Sequence, residues 1–198
     1  MAEISLTDFV DFVIKSGSPK LTKVKSAKTR PDYDPKTDYW KSLRDGIVRV
    51  SKGKASKASL DSLVSASSDA KKARYRECAK GFKKFLGTKP TIWVPPVSSL
   101  WEAGGLEVRV NPEIGLKIKG VPHLIKLHFK AEKLSKIRVD SVLLLMAQAL
   151  AGKAKPGTHF GILDVPRAKL FTTKDGKAEL LPLLVGEATA FAEIWDQV

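Results

Sequence analysis

One cysteine, Cys78, stands in the whole chain of 198 residues, so no intramolecular disulfide can form and a reducing compartment fits. The N-terminus, Met1-Ala2-Glu3-Ile4-Ser5, has neither the basic stretch nor the apolar stretch of a secretory signal. The longest run of large apolar side chains, Val142 to Met146, falls far short of the ~20 residues that span a bilayer. Together these absences point to a cytoplasmic protein without a membrane span. Chemistry is equally sparse. There is no Gly-x-Ser-x-Gly elbow. The segment Gly81-Phe-Lys-Lys-Phe-Leu-Gly87-Thr88-Lys89 has the wrong Gly-Thr-Lys order for a phosphate loop and follows a helix rather than a strand. His123, His128 and His159 lack the cysteine or carboxylate spacing of a zinc site and read as hydrogen-bonded structural residues. Cys78 reads as a small core residue.

Positive charge is abundant: 35 Lys and Arg face 21 Asp and Glu, a formal excess of +14. Such an excess repels itself in a folded chain and suits a polyanionic partner. With 43% hydrophobic residues the chain can still bury a sizeable core. The excess is uneven, because residues 1–90 hold 21 basic and 10 acidic side chains and the remainder 14 and 11. Residues 1–90 read as a basic helical region, 91–105 as a Pro/Gly/Trp connector, and 106–198 as a sheet with helices. The whole is an α+β chain with a small, mostly antiparallel sheet.

Hydrophobic spacing supports helices near 7–14, capped by Thr7, and near 38–51 and 57–65. Residues Ser16 to Lys36 read as an extended arm bearing Lys20, Lys23, Lys25, Lys28 and Arg30. A helix over Asp69–Leu86 places Tyr75, Cys78, Phe82, Phe85 and Leu86 on one stripe. Lys72, Arg76, Lys80, Lys83 and Lys84 recur at spacings of three and four on another, where an anion would relieve their mutual repulsion. Gly87 to Gly105 reads as a connector pinned by Trp93 and Trp101.

The period then changes to two, with strands at 106–110, 114–119 and 123–130. Alternation sets Ile125, Leu127 and Phe129 opposite Lys126, His128 and Lys130, and Leu116 opposite Lys117 and Lys119. A hairpin of the last two strands would present one apolar face, covered by a helix from Ser135 to Leu150, and one basic, phosphate-tracking face. A strand at His159–Asp164, another at Ala168–Phe171 and a helix at Glu187–Val198 complete the chain.

Residues of about 70–171, ordered helix, three-strand meander, helix, strand, resemble the core of the PD-(D/E)xK nuclease-like fold. That resemblance implies a divalent metal held by an Asp and a Glu/Asp-x-Lys pair. Here Lys126-Leu127-His128-Phe129-Lys130 keeps only the lysine, Lys130; His128 replaces the acid, and Glu113 is the nearest carboxylate. Magnesium prefers one or two carboxylates, so the resemblance implies a degenerate, non-cleaving member. The chain, notably Asn111-Pro112-Glu113-Ile114-Gly115-Leu116 and Gly120 through Lys130, is also similar to a group of uncharacterised bacterial proteins, which implies no function.

The expectation is therefore a nucleic-acid-binding protein, for DNA or RNA, that contacts phosphates without catalysis or cofactor. Its contacts would be Lys72, Arg76, Lys80, Lys83, Lys84, Lys117, Lys119, Lys126, His128 and Lys130. Two alternatives stay open. One is a magnesium-dependent nuclease using Glu113 and Lys130. The other is an interaction module, such as a homodimer, using the apolar C-terminal helix or the tryptophan connector.

Overall fold

A computed structural model describes residues 1–88 and 92–198, so Lys89, Pro90 and Thr91 of the expected connector lie outside the described residues. Among the described residues the order is β1 (Ala2–Ser5), α1 (Leu6–Val13), α2 (Ser18–Lys28), α3 (Lys41–Ser51), α4 (Ser59–Ser65) and α5 (Asp69–Leu86). There follow β2 (Ile92–Trp93), β3 (Ser99–Ala103), β4 (Leu106–Val110), β5 (Ile114–Ile118) and β6 (Val121–His128). The chain ends with α6 (Lys136–Leu150), β7 (His159–Asp164), β8 (Lys169–Thr173) and α7 (Leu181–Gln197). The α+β class is as expected, and α5, α6 and β7 fall where their patterns placed them.

The strands form two sheets rather than one: a three-stranded sheet ordered β1-β4-β3 and a five-stranded sheet ordered β2-β5-β6-β7-β8. The expected meander over 106–130 therefore divides, β4 joining the first sheet and the β5–β6 hairpin the second. Ile118 pairs with Val121. The turn between them is Lys119-Gly120, both at positive φ (49° and 85°), the twist that a two-residue hairpin turn needs. Lys119 is thus a turn residue and not part of a strand. β6 runs parallel to β7, with α6 as the crossover.

Both faces of the five-stranded sheet are covered. On one, Ile114, Leu116, Ile125, Leu127 and Leu163 pack with Leu43 and Ile47 of α3, Leu60 of α4, and Tyr75 and Phe82 of α5. On the other, Leu124, Phe160 and Ile162 pack with Val142 and Met146 of α6, Phe9 and Phe12 of α1, and Phe191 of α7. Helix α6 therefore covers the face opposite to the expected one. The side chains of Ile125, Leu127 and Phe129 instead meet α3–α5. Each core draws on residues from both sides of the 91–105 segment, which itself contributes β2 and β3.

Three further expectations need correcting. Ser5, not Thr7, caps α1: its Oγ accepts from the Asp8 amide at 3.1 Å, and its hydroxyl donates to Asp8 Oδ2 at 2.7 Å. The stretch read as an arm contains α2, entered by Gly17 at positive φ and Pro19 in its first turn. The C-terminal helix begins at Leu181, six residues earlier than its apolar pattern suggested, and buries Leu184, Ala188 and Phe191 while Leu183 and Val185 stay exposed.

Helix α5 seats directly on the turn after β7. A Cβ at Gly81 would stand 2.0 Å from the Val165 carbonyl oxygen and 2.7 Å from that of Pro166. Both obstacles are backbone, so Gly81→Ala must push the helix off its sheet, at about 2 kcal/mol by the usual cost of overpacking. A fall in Tm of roughly 6 °C is expected. An unchanged Tm would mean that α5 is not held against this turn.

Candidate functional site

Two charged features emerge, and they divide the residues expected to form one site. The first is the outer surface of the three-helix layer. Between residues 41 and 88 the chain has thirteen basic and four acidic side chains, an excess of +9 out of the total +14. On α5, Tyr75, Cys78, Ala79, Phe82 and Leu86 are buried against the sheet, which turns Arg76, Lys80 and Lys84 outward. These three are exposed and form no ion pair among the described residues. Their four-residue spacing lines them along about 12 Å of helix. The other two expected contacts on α5 are partly engaged. Lys83 bonds Asp61 at 2.6 and 2.8 Å, and Lys72 lies 3.6 Å from Asp69. Nearby, Arg49, Lys52 and Lys54 are exposed, and the Lys52 ammonium lies over the Trp93 ring at 5.1 Å.

The second feature is a cleft of about 450 Å³ where the end of β6 meets the start of α1 and the segment between α2 and α3. It collects Glu113, Lys126, His128 and Lys130 with residues that no local pattern connected to them: Asp8, Arg30, Asp38, Arg44 and Arg138. Glu113 Oε1 accepts from Lys126 Nζ at 2.6 Å and Oε2 from the Leu127 amide at 2.8 Å. Asp11 holds Lys130 at 2.9 Å and Arg138 at 2.5 Å. Asp8 receives a two-pronged contact from Arg30, both prongs at 2.9 Å, and Lys23 at 2.7 Å. Arg44 reaches Asp38 at 2.7 Å.

Burial alone would raise the carboxyls of Asp8, Asp11 and Asp38. The bonds from their cationic partners outweigh it and hold all three below the usual range, Asp8 furthest. Burial lowers the His128 pKa, and that ring bonds the Glu132 carbonyl at 3.2 Å. His128 is thus a neutral, structurally tied residue near pH 7.

Consequently the basic sheet face expected from alternation does not assemble. Lys126 is half-buried in its pair with Glu113, His128 is buried, and Lys130 is committed to Asp11. Lys117 and Lys119 are exposed at the other end of the hairpin, where Lys117 stands opposite Pro122. Three of the four lysines of the supposed arm are engaged too, Lys23 with Asp8. Lys20 pairs with Glu187, and Lys28 bonds the Trp195 and Val198 carbonyls at 2.7 Å each.

The remaining candidates are structural. Cys78 is fully buried, its thiol directed to the Phe129 carbonyl and pushed by burial up to about 12. His123 bonds the Val121 carbonyl at 2.9 Å and meets His159 edge-on, ring centres 5.1 Å apart. Trp101 is buried against Phe9, which removes it from the tryptophan surface considered for an interaction module. Among the described residues no group of three or more His, Cys, Asp or Glu side chains is placed to hold a metal ion. No described helix is long and apolar enough to cross a membrane. Comparison with protein-family models, curated proteins and solved structures gave no match, so the reading of these sites rests on their own geometry.

Proposed function

We propose that this protein binds nucleic acid through its phosphates, without cleaving it, using the outer face of α5 and the helical layer around it. The observation that carries the reading is the line of Arg76, Lys80 and Lys84, exposed and without acidic partners among the described residues, in a layer with a +9 excess. Keeping three like charges in line on one helix costs stability. Phosphates along a strand would relieve that repulsion and release condensed counterions. The interface offers few aromatic side chains for base stacking, so it favours backbone contact over sequence reading. A cytoplasmic setting fits, since the single thiol is reduced and buried.

The nuclease built on Glu113 and Lys130 is the competing reading. Both Glu113 oxygens accept hydrogen bonds from the protein, and Lys130 is drawn to Asp11. That arrangement supports an ion-paired cleft more than a metal-held water. One experiment separates the two: titration of short single- and double-stranded DNA and RNA by fluorescence anisotropy with magnesium present, followed by a check of strand length. Binding with intact strands is expected. Shortened strands that stay intact with Glu113→Gln would put the nuclease in its place.

A further inference from the structure

The ion pairs of the cleft do not balance. Arg30, Arg44, Lys126, Lys130 and Arg138 line it against three carboxylates, those of Asp8, Asp38 and Glu113, and behind this lining Lys23 and Asp11 offset each other at 3.7 Å. Two formal positive charges are left over, with His128 neutral beside them. An uncompensated charge in a partly enclosed space is costly unless a ligand supplies the counter-charge.

Donor groups remain on two of the arginines that line the cavity. Arg138, in the first turn of α6, keeps only 6% of its side chain exposed, yet it gives Asp11 a single nitrogen, Nη1. Its Nε and Nη2 bond no group among the described residues, and the residue lines the cleft. Arg44 likewise gives only Nη2 to Asp38 and lines the same cavity. A guanidinium with free N–H groups is the donor best shaped for a phosphate or carboxylate.

We propose that this cleft is a binding site for a phosphomonoester dianion. A phosphate monoester carries about −1.5 to −2 at neutral pH, which matches the two surplus charges where a single carboxylate would leave one unmatched. The volume is that of a small-molecule site. Its place at the carboxyl end of the parallel β6–β7 pair, beside the start of the crossover helix, is where α/β sheets tend to take ligands. The phosphate can belong to a small phosphorylated molecule or to the end of a nucleic-acid strand. The cleft is separate from the α5 face and does not depend on it.

Thermal denaturation of the whole protein tests this, in sodium phosphate against sodium chloride of equal ionic strength. At saturation phosphate is expected to raise Tm by at least about 3 °C, because it binds only the folded chain. Arg44→Gln and Lys130→Gln should each remove most of that rise. Lys130 is 46% exposed, so its variant is expected to fold even if the other does not, which a melting curve in chloride checks. Two further probes identify the source. A 5′-phosphorylated oligonucleotide binding about tenfold tighter than its 5′-hydroxyl twin indicates a strand end. A nucleoside 5′-monophosphate that reproduces the Tm rise, with the twins binding alike, indicates a small molecule. Reversing the three α5 charges should leave the phosphate effect in place, so this site and the α5 interface can fail separately. Equal Tm in phosphate and chloride, with no preference between the twins, would overturn the proposal.

Discussion

Reversing three charges on α5, as Arg76→Glu, Lys80→Glu and Lys84→Glu together, should weaken nucleic-acid binding about a hundredfold at moderate salt while leaving the fold intact. The size follows from the electrostatics of phosphate contact. Neutralising three phosphates releases about three condensed counterions, so moving from roughly 50 to 200 mM salt alone would weaken binding about 40-fold. Replacing attraction with repulsion at the same positions costs more than losing it. Folding should be spared because all three side chains are exposed and have no ion pair to break among the described residues. Removing mutual repulsion along the helix could even raise Tm slightly. The check is paired: anisotropy for affinity and far-UV circular dichroism with a melting curve for structure. Undiminished binding by a folded triple variant would remove α5 from the interface.

The second large effect concerns stability. Asp8→Asn is expected to cost about 3 kcal/mol, which for a chain of this size lowers Tm by roughly 9 °C. Asp8 is 9% exposed and accepts from the Arg30 fork, from Lys23 and from the Ser5 hydroxyl. An amide keeps the shape but leaves Arg30 without its counter-charge and Lys23 with only the more distant Asp11, 3.7 Å away, in a space that already has a surplus. The pH dependence should identify the cause. Because the folded Asp8 pKa lies below its unfolded value near 3.9, its contribution is complete above about pH 4–5 and fades as the pH falls below that. The gap in stability between the native protein and Asp8→Asn should therefore be widest near neutrality and narrow steadily below about pH 4. A gap that does not change with pH would point to lost packing rather than lost charge.

Much of the fold was legible wherever local pattern coincides with burial. Helix α5 repeats its apolar residues faithfully from Tyr75 to Leu86, and Ser135 announces α6 by accepting from the Arg138 amide. Helix α2 was not legible, because Val24 is its only buried residue and no apolar stripe marks it. Long-range pairs hold it instead, from Lys23 to α1 and from Lys20 and Lys28 to α7. Strands β1 and β3 are short and make sense only once β4 lies between them.

The faces of β6 misled for a related reason. Strict alternation suggests one dry and one wet face, but a central strand is covered on both, and Leu124 is buried opposite Ile125. The cleft follows the same logic. Glu113, Lys126 and Lys130 were visible as candidates, while Asp11, which holds Lys130 and Arg138, comes from 119 and 127 residues away. Spacing in the chain cannot register such a neighbour. The α5 charges were visible because a helix face is a local property. Which of them stay free depended on Asp61 in α4 claiming Lys83.

The salt dependence of binding tests the central claim most directly. The intact protein should be titrated into a labelled oligonucleotide of the preferred type at several salt concentrations, with the α5 triple variant alongside. Phosphate contact through Arg76, Lys80 and Lys84 predicts that log affinity falls against log salt with a slope of about −2.7 or steeper, and that the variant loses about that much of the slope. A slope near zero, or one that the variant shares unchanged, would contradict phosphate binding by this face.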